Sequence, residues 1–266
     1  MPVKNLLKTH VYSDIIILPS SILEVELTLE MRTLLVSRIA RILGAFQVDE
    51  LLVYKSSKYR LFEEFCSIME YLLTPPYLKK YVPKKKTLSK IGIAYPFNIA
   101  IHVVEKNPDR DPIRLGLIAS KKKGKILVDV GIGAPLLLES NNREYSRGDI
   151  VLVDLEKKSI LDSHNYYVGF RVKCFNTMNR LLHYVEGRRK EGYALIGTSV
   201  KGSDYRECRA CDKYKRIIFY GDPRRGVDEM YKGVSFDDVI NILTGQGTVT
   251  LRTEEALCIS LSRLHK

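Results

Sequence analysis

The carboxy-terminal stretch 239–266, VINILTGQGTVTLRTEEALCISLSRLHK, is the feature that most constrains the fold. Val239, Ile240, Ile242 and Leu243 form an apolar run with β-branched bias, which predicts a short buried strand. A small-residue turn follows, Thr244-Gly245-Gln246-Gly247-Thr248. Thr253-Glu254-Glu255 then opens a helix, with a hydroxyl in N-cap position and acids where the helix dipole favours them. Leu257, Leu261 and Leu264 recur at i, i+4 and i+7, so one stripe of that helix is buried. Strand, bare-backbone loop and capped helix together make a ligand cradle, because glycines let a loop lie flat against a small molecule.

The front of the chain alternates in the manner of a parallel sheet covered by helices. Asp14 to Leu18 predicts a strand, broken by Pro19-Ser20-Ser21. Leu27 to Phe46 predicts a helix with Leu35, Ile39, Ile42 and Phe46 on one stripe. Glu50 to Tyr54 is a second strand and Leu61 to Leu73 a second helix, stopped by Thr74-Pro75-Pro76. From Ile91 to Ser163 the rhythm changes to short β-rich runs separated by turns, which suggests a small barrel, OB-like in character. Helix-and-strand alternation then resumes, with strands at Tyr166 to Cys174, Tyr193 to Ser199, Arg216 to Gly221 and Phe236 to Leu243. The expected division is therefore a discontinuous α/β domain, 1–90 and 164–266, with an inserted β domain, 91–163.

The chain has 266 residues and a formal charge of +12, from 43 Lys and Arg against 31 Asp and Glu. Such an excess favours polyanions, since cations on a protein release the counterions of phosphates. The plainer reading is a charge-rich soluble surface. Five cysteines, odd and scattered, do not form a disulfide framework. No leader pattern and no apolar run of bilayer length occur, so a soluble, cytoplasmic protein without membrane contact is expected.

Three loops carry the site argument: Gly197 to Gly202, Gly221 to Gly226 and Thr244 to Thr248. Each follows a predicted strand, and in open α/β sheets ligands gather beyond the carboxyl ends of strands. Ordinary turn chemistry is the competing account. Gly197-Thr-Ser-Val-Lys-Gly202-Ser203 mimics a P-loop, but Ser203 stands where the lysine belongs. Cys208-x-x-Cys211 is half a zinc site without a second pair, so no metal is expected and a flexible basic loop is the simpler account. None of the five histidines forms a recognisable triad. Among the basic runs, Lys79-Lys80 alternates with Tyr77 and Tyr81, which sets stacking faces among phosphate contacts. Lys121-Lys122-Lys123 lies in the β insertion and is the second candidate for RNA.

Four stretches together resemble the SPOUT (α/β-knot) RNA methyltransferases, in particular the archaeal and eukaryotic branch with an inserted β domain. They are Ile196-Gly197-Thr198-Ser199 with Gly202-Ser203-Asp204, Ile218-Phe219-Tyr220-Gly221, and Gly245-Gln246-Gly247 leading into Arg252-Thr253-Glu254-Glu255-Ala256, with the front of the chain, Arg32 to Tyr54 and Tyr71 to Lys80, as the fourth. The resemblance covers most of the chain, thinly in its middle. It implies a trefoil-knotted, mostly parallel sheet flanked by helices, and knots are otherwise nearly absent from proteins. It implies S-adenosyl-L-methionine as cofactor, held by Thr198, Gly221, Gly226, Leu243, Gly245, Gln246, Gly247 and Thr248, and a homodimer that completes the site. It implies ribosomal RNA as substrate, with N3 of a uridine as the target atom, and places Arg32 and Arg38 against RNA or the dimer partner.

A methyl donor that carries its own activated group asks the protein only to align donor and acceptor and to steady developing charge. Arg252, between the glycine loop and the last helix, is the side chain expected to meet a target phosphate or an anionic base. Its competing role is a salt bridge to Glu254 or Glu255. Asp204 is the candidate base. The alternative function is a non-catalytic RNA-binding or ribosome-assembly protein that retains the knot as a scaffold.

Overall fold

A computed structural model describes residues 12–103, 112–122, 124–140, 144–161 and 166–265, with Lys122 described in its backbone alone. In chain order the first elements are β1 (Ser13–Pro19), α1 (Leu29–Ala45), β2 (Glu50–Tyr54) and α2 (Tyr59–Leu73). Five strands follow: β3 (Ile113–Lys122), β4 (Lys125–Asp129), β5 (Leu136–Glu139), β6 (Ile150–Asp154) and β7 (Ser159–Ile160). The chain ends with β8 (Arg171–Phe175), α3 (Met178–Lys190), β9 (Ala194–Asp204), β10 (Lys215–Phe219), α4 (Val227–Met230), β11 (Asp238–Asn241) and α5 (Thr253–Leu264).

Two units divide these elements. The α/β unit holds the described parts of Thr9–Leu72, Lys85–Phe97 and Gly169–Lys266. Its sheet is six-stranded, in the order β11-β9-β10-β1-β2-β8, and every pairing is parallel. Central strand β1 is apolar on both faces because helices cover both: Ile15, Ile16, Ile17 and Leu18 are at most 1% exposed. Removing such a side chain from water is worth about 1.5–3 kcal/mol each. The other unit holds Leu73–Lys84 and the described part of Asn98–Val168. Its sheet is antiparallel, in the order β5-β4-β3-β6-β7, over a core of Ile118, Ile126, Val128 and Val153.

These limits differ from the expected 1–90, 91–163 and 164–266. Leu73–Lys84 goes with the antiparallel sheet because its aromatic and basic side chains are tied there. Tyr77 donates to the Leu115 carbonyl at 2.8 Å, and Tyr81 donates to Asp129 at 2.6 Å. Lys85–Phe97 goes with α1: Tyr95 N–H donates to Ser37, Arg41 to the Pro96 carbonyl, and Lys90 pairs with Glu30.

Helix α1 starts where Thr28 accepts the Met31 N–H. Its buried stripe runs through Arg32, Leu35, Val36, Ile39 and Leu43, while Ile42 and Phe46 are half-buried. At α5 the N-cap is Arg252 rather than the expected Thr253, and Glu255 accepts the Arg252 N–H at 2.8 Å. The helix buries Leu257, Leu261 and Leu264.

The end of α5 is fastened by a buried charge cluster. Asp14 on β1 and Arg216 on β10 are both 0% exposed and meet through two hydrogen bonds, at 2.7 and 2.8 Å. Arg216 also donates to the carbonyls of Cys211 and Leu264, so it satisfies the last helical carbonyl as well as Asp14. His265 Nε2 lies 2.6 Å from Asp14 Oδ2, the oxygen that also accepts from Arg216 Nη2, and the Tyr12 ring stacks over Arg216. Burial pushes the Asp14 carboxyl up, but His265 and Arg216 outweigh it and hold it below the usual carboxylate range.

The cysteines also depart from expectation. Cys66 on α2 is bonded to Cys174 on β8, and Cys208 to Cys211; Cys258 is free and exposed. The odd count concealed two pairs because the fold brings together positions 108 residues apart. Among the described residues no helix is long and apolar enough to cross a membrane, and no cluster of metal-binding side chains occurs.

Candidate functional site

A cavity of about 210 Å³ opens where β10 and β11 end and β9 bulges. The bulge is the expected loop in another form. Val239 faces Gly197 across the sheet, while the next residue, Ile240, faces Ser203. Residues 198–202 are therefore looped out of the ladder, although the strand runs on to Asp204. Glycine is required at 202, where an added Cβ would sit 2.6 Å from the backbone of Ile240. Asn241 fixes the bulge by donating to the Val200 carbonyl at 3.0 Å.

The second wall is the turn 221–226, organised by Asp222. Its Oδ1 accepts the N–H groups of Arg224 and Arg225, and its Oδ2 accepts from Ser21 and from the Arg225 guanidinium. Burial pushes this carboxyl up, but the donors from Ser21 and Arg225 hold it below the usual range. The turn closes so tightly that a Cβ on Gly221 would lie 2.5 Å from the Arg225 carbonyl oxygen. The third wall is Gln246 with the entrance to α5, whose side is fixed by Tyr220 against Ser260 and by Arg263 on the Ile242 carbonyl.

Of the expected cofactor residues, Thr198, Gly221, Gly226 and Gln246 line this cavity. Thr198 spends its hydroxyl on the Phe219 carbonyl, 2.9 Å away. Leu243, Gly245, Gly247 and Thr248 are outside the lining, in the strand end and loop that carry Gln246. Gly245 has a φ of +77°, the left-handed region that suits glycine. Gln246 donates to the Thr248 carbonyl at 2.8 Å, so the loop is braced from within. Asp222, Arg225 and Asn241 were missed from sequence. The signal for Asp222 was an Asp directly after a strand-end glycine, a position where carboxylates accept backbone N–H groups of their own turn.

Arg252 is not directed into the cavity, although its neighbours Leu251 and Thr253 line it. Its guanidinium meets Glu26 at 2.8 Å and Glu254 at 3.7 Å, and its side chain is 50% exposed. The expected pairing with Glu254 thus exists, joined by a closer partner that sequence did not suggest. Asp204 is clamped by Arg206 through two side-chain hydrogen bonds and one from the backbone, at 2.6–2.9 Å. Arg206 holds its carboxyl far below the usual range, which makes it a poor proton acceptor and argues against the expected role as base.

The RNA candidates separate. Arg32 is 5% exposed, and its guanidinium is consumed by Glu64 and by the carbonyls of Glu26 and Leu27, so it does not face a ligand. Arg38 is exposed and lies over the Tyr95 ring. Lys79 is half-buried, and burial pushes its ammonium pKa down. Lys80 pairs with Asp129 at 2.6 Å. Lys121 is exposed on β3, nothing is described of the Lys122 side chain, and Lys123 is outside the described residues.

Comparison with known proteins places these features in a family. The family described as "Putative RNA methyltransferase" matches residues 14–264. The 28S rRNA (uridine-N(3))-methyltransferase of Homo sapiens is 27% identical, over 95% of this chain and 78% of that protein. The protein of the same name from Drosophila melanogaster is 26% identical, over 94% of this chain and 61% of its own length. The SpoU methyltransferase AviRb from Streptomyces viridochromogenes, solved in complex with AdoMet, aligns at 10% identity and a TM-score of 0.44. That alignment covers 99% of this chain and 62% of AviRb, a likeness too loose to carry a fold or a function. The chain belongs to this family of putative RNA methyltransferases.

Proposed function

We propose that the chain transfers a methyl group from S-adenosyl-L-methionine to ribosomal RNA, with N3 of a uridine as the acceptor. The observation that carries this reading is the convergence of the β9 bulge, the 221–226 turn and the α5 entrance on one cavity, in a member of an RNA methyltransferase family. The lining fits a nucleoside-bearing ligand. Gly221 and Gly226 leave the backbone bare, Ile242 and Leu251 supply apolar surface, and the looped-out residues 198–200 leave the sheet ladder. Thr198, Gly221, Gly226 and Gln246 would hold the cofactor, with the Leu243–Thr248 segment at its border. When bound, S-adenosyl-L-methionine supplies a methyl group activated by its sulfonium. The protein's part is to exclude water and align the acceptor.

Arg252 stands one residue from the cavity wall and half in solvent, a position from which its guanidinium reaches a target phosphate or the charge on a deprotonated base. Lys79, Lys80 and Lys121 belong to the antiparallel unit, which in this reading is OB-like and grips RNA. The reading further takes residues 239–265 as the knotted tail of a SPOUT fold and the active form as a cytoplasmic homodimer. The anchoring of α5 through Leu257, Leu261, Arg263 and the Asp14–Arg216 cluster supports a tail that is part of the site. Tritium transfer from labelled cofactor to ribosomal RNA, followed by nucleoside mapping, tests the proposal. Label in 3-methyluridine is expected; label in another nucleoside overturns the target, and no label overturns the activity.

A further inference from the structure

A second cleft, of about 580 Å³, lies against the first, and Arg224 lines both. Its basic side chains come from three places. Arg224 belongs to the 221–226 turn, Lys58 and Arg60 flank the start of α2, and Arg32, buried and already paired with Glu64, forms the floor of the lining from α1. The acids present do not cancel them. Glu24 is 3.5 Å from Arg224, and Glu26 is taken by Arg252. Glu64 stands between two guanidinium groups, Arg32 and Arg60. Lys58 is exposed and has no carboxylate partner among the described residues. Arg60 and Arg224 keep 73% and 74% of their side chains in solvent.

This arrangement is poor for stability. Helix α2 has no acid in its first turn and instead carries cations where the helix dipole disfavours them. Three exposed cations around a cleft suit a polyanion whose charges are spaced along a chain, and the cleft shares Arg224 with the first cavity. We propose that Lys58, Arg60 and Arg224 seat the phosphates of the RNA strand next to the target nucleotide, while the base enters the neighbouring cavity. The inference rests on the proposed activity for the identity of the polyanion. It assigns RNA contact to a surface distinct from Lys79–Lys80 and Lys121.

The test is binding of a fluorescein-labelled, uridine-containing single-stranded RNA to the full chain at several salt concentrations. The triple variant Lys58→Ala/Arg60→Ala/Arg224→Ala is compared with wild type, alongside Lys58→Gln, which removes a charge from an exposed side chain without a carboxylate partner among the described residues. Each lost phosphate contact lowers the slope of log affinity against log salt by about 0.7. A fall of about 2 in the triple variant and about 0.7 in Lys58→Gln supports the proposal, with unchanged melting temperature in Lys58→Gln. An unchanged slope in Lys58→Gln overturns the place of Lys58, and an unchanged slope in both overturns the cleft. Binding is read without turnover, so a chain that loses its slope here but never transfers methyl leaves the cleft standing and removes the proposed activity.

Discussion

The guanidinium of Arg252 lies 2.8 Å from the carboxylate of Glu26, a residue 226 positions earlier in the chain. Glu26 is itself held in place, since Arg32 donates to its carbonyl and to that of Leu27. The buried Arg32–Glu64 pair thereby sets the position of the strap that meets Arg252. An arginine at the edge of the cavity is thus held in place by a carboxylate from the other end of the sequence. Replacing Arg252 with alanine is expected to abolish methyl transfer with little change in cofactor affinity. Glu26→Gln leaves the arginine present but no longer held in place, and is expected to lower kcat about 10- to 100-fold, as misplacement of a working group by about 1 Å does. Single-turnover rates and cofactor titration on both variants check this; equal rates in Glu26→Gln and wild type would remove Glu26 from the mechanism.

Gly221 offers a second expectation. A methyl group added there would lie 2.5 Å from the Arg225 carbonyl oxygen, which is fixed by the turn around Asp222. Gly221→Ala must therefore open the turn. Overpacking of this kind costs about 1–3 kcal/mol. Weakened cofactor binding with a modest fall in melting temperature is expected. Gly187→Ala on α3 is the control, because open space surrounds that position and it does not line the cavity.

The Asp14–Arg216–His265 cluster predicts acid sensitivity with a definite sign. The folded-state pKa of Asp14 is depressed relative to the unfolded value of about 3.9. Its stabilisation is therefore complete above about pH 5 and is lost as pH falls through the depressed folded value. Asp14→Asn leaves Arg216 buried without its counter-charge, at a cost of about 3–5 kcal/mol. Urea unfolding at pH 7 and at pH 3 is the check: the gap between variant and wild type should be wide at pH 7 and should narrow on acidification.

The disulfides give a count. Without reductant, in denaturant, one thiol per chain should react, that of Cys258, and five should react after reduction. The Cys66–Cys174 bond closes a loop of 108 residues, for which chain entropy predicts about 4–5 kcal/mol. Reduced protein should melt well below oxidised protein, and five reactive thiols before reduction would contradict the pairing.

Much of the α/β unit was legible because its strands are buried on both faces and announce themselves as apolar runs, as in Ile15 to Leu18. Its helices were legible from periodicity, but the choice of stripe was not. Arg32 falls at i−3 from Leu35 and i−7 from Ile39, on the face that turns inward; the resemblance sets it against RNA or a dimer partner because sequence does not show Glu64 waiting opposite. The extension of β9 to Asp204 was hidden because its partners there lie 37 residues later, Ile240 against Ser203, and the bulge between the strands exists only through that pairing. Thr253 looked like a cap by residue type, yet its side chain makes no such bond and Glu255 caps the helix from within. The site was half legible: glycine-rich loops mark where backbone is bare, whereas Asp222 and Glu26 act through partners distant in sequence.

Isothermal titration of the folded, full chain with S-adenosyl-L-methionine tests the central claim most directly. One molecule bound per chain is predicted, with Gly221→Ala weakening the affinity and Arg252→Ala leaving it intact. Absence of measurable binding to well-folded protein, or binding indifferent to Gly221→Ala, would contradict the assignment of the cavity.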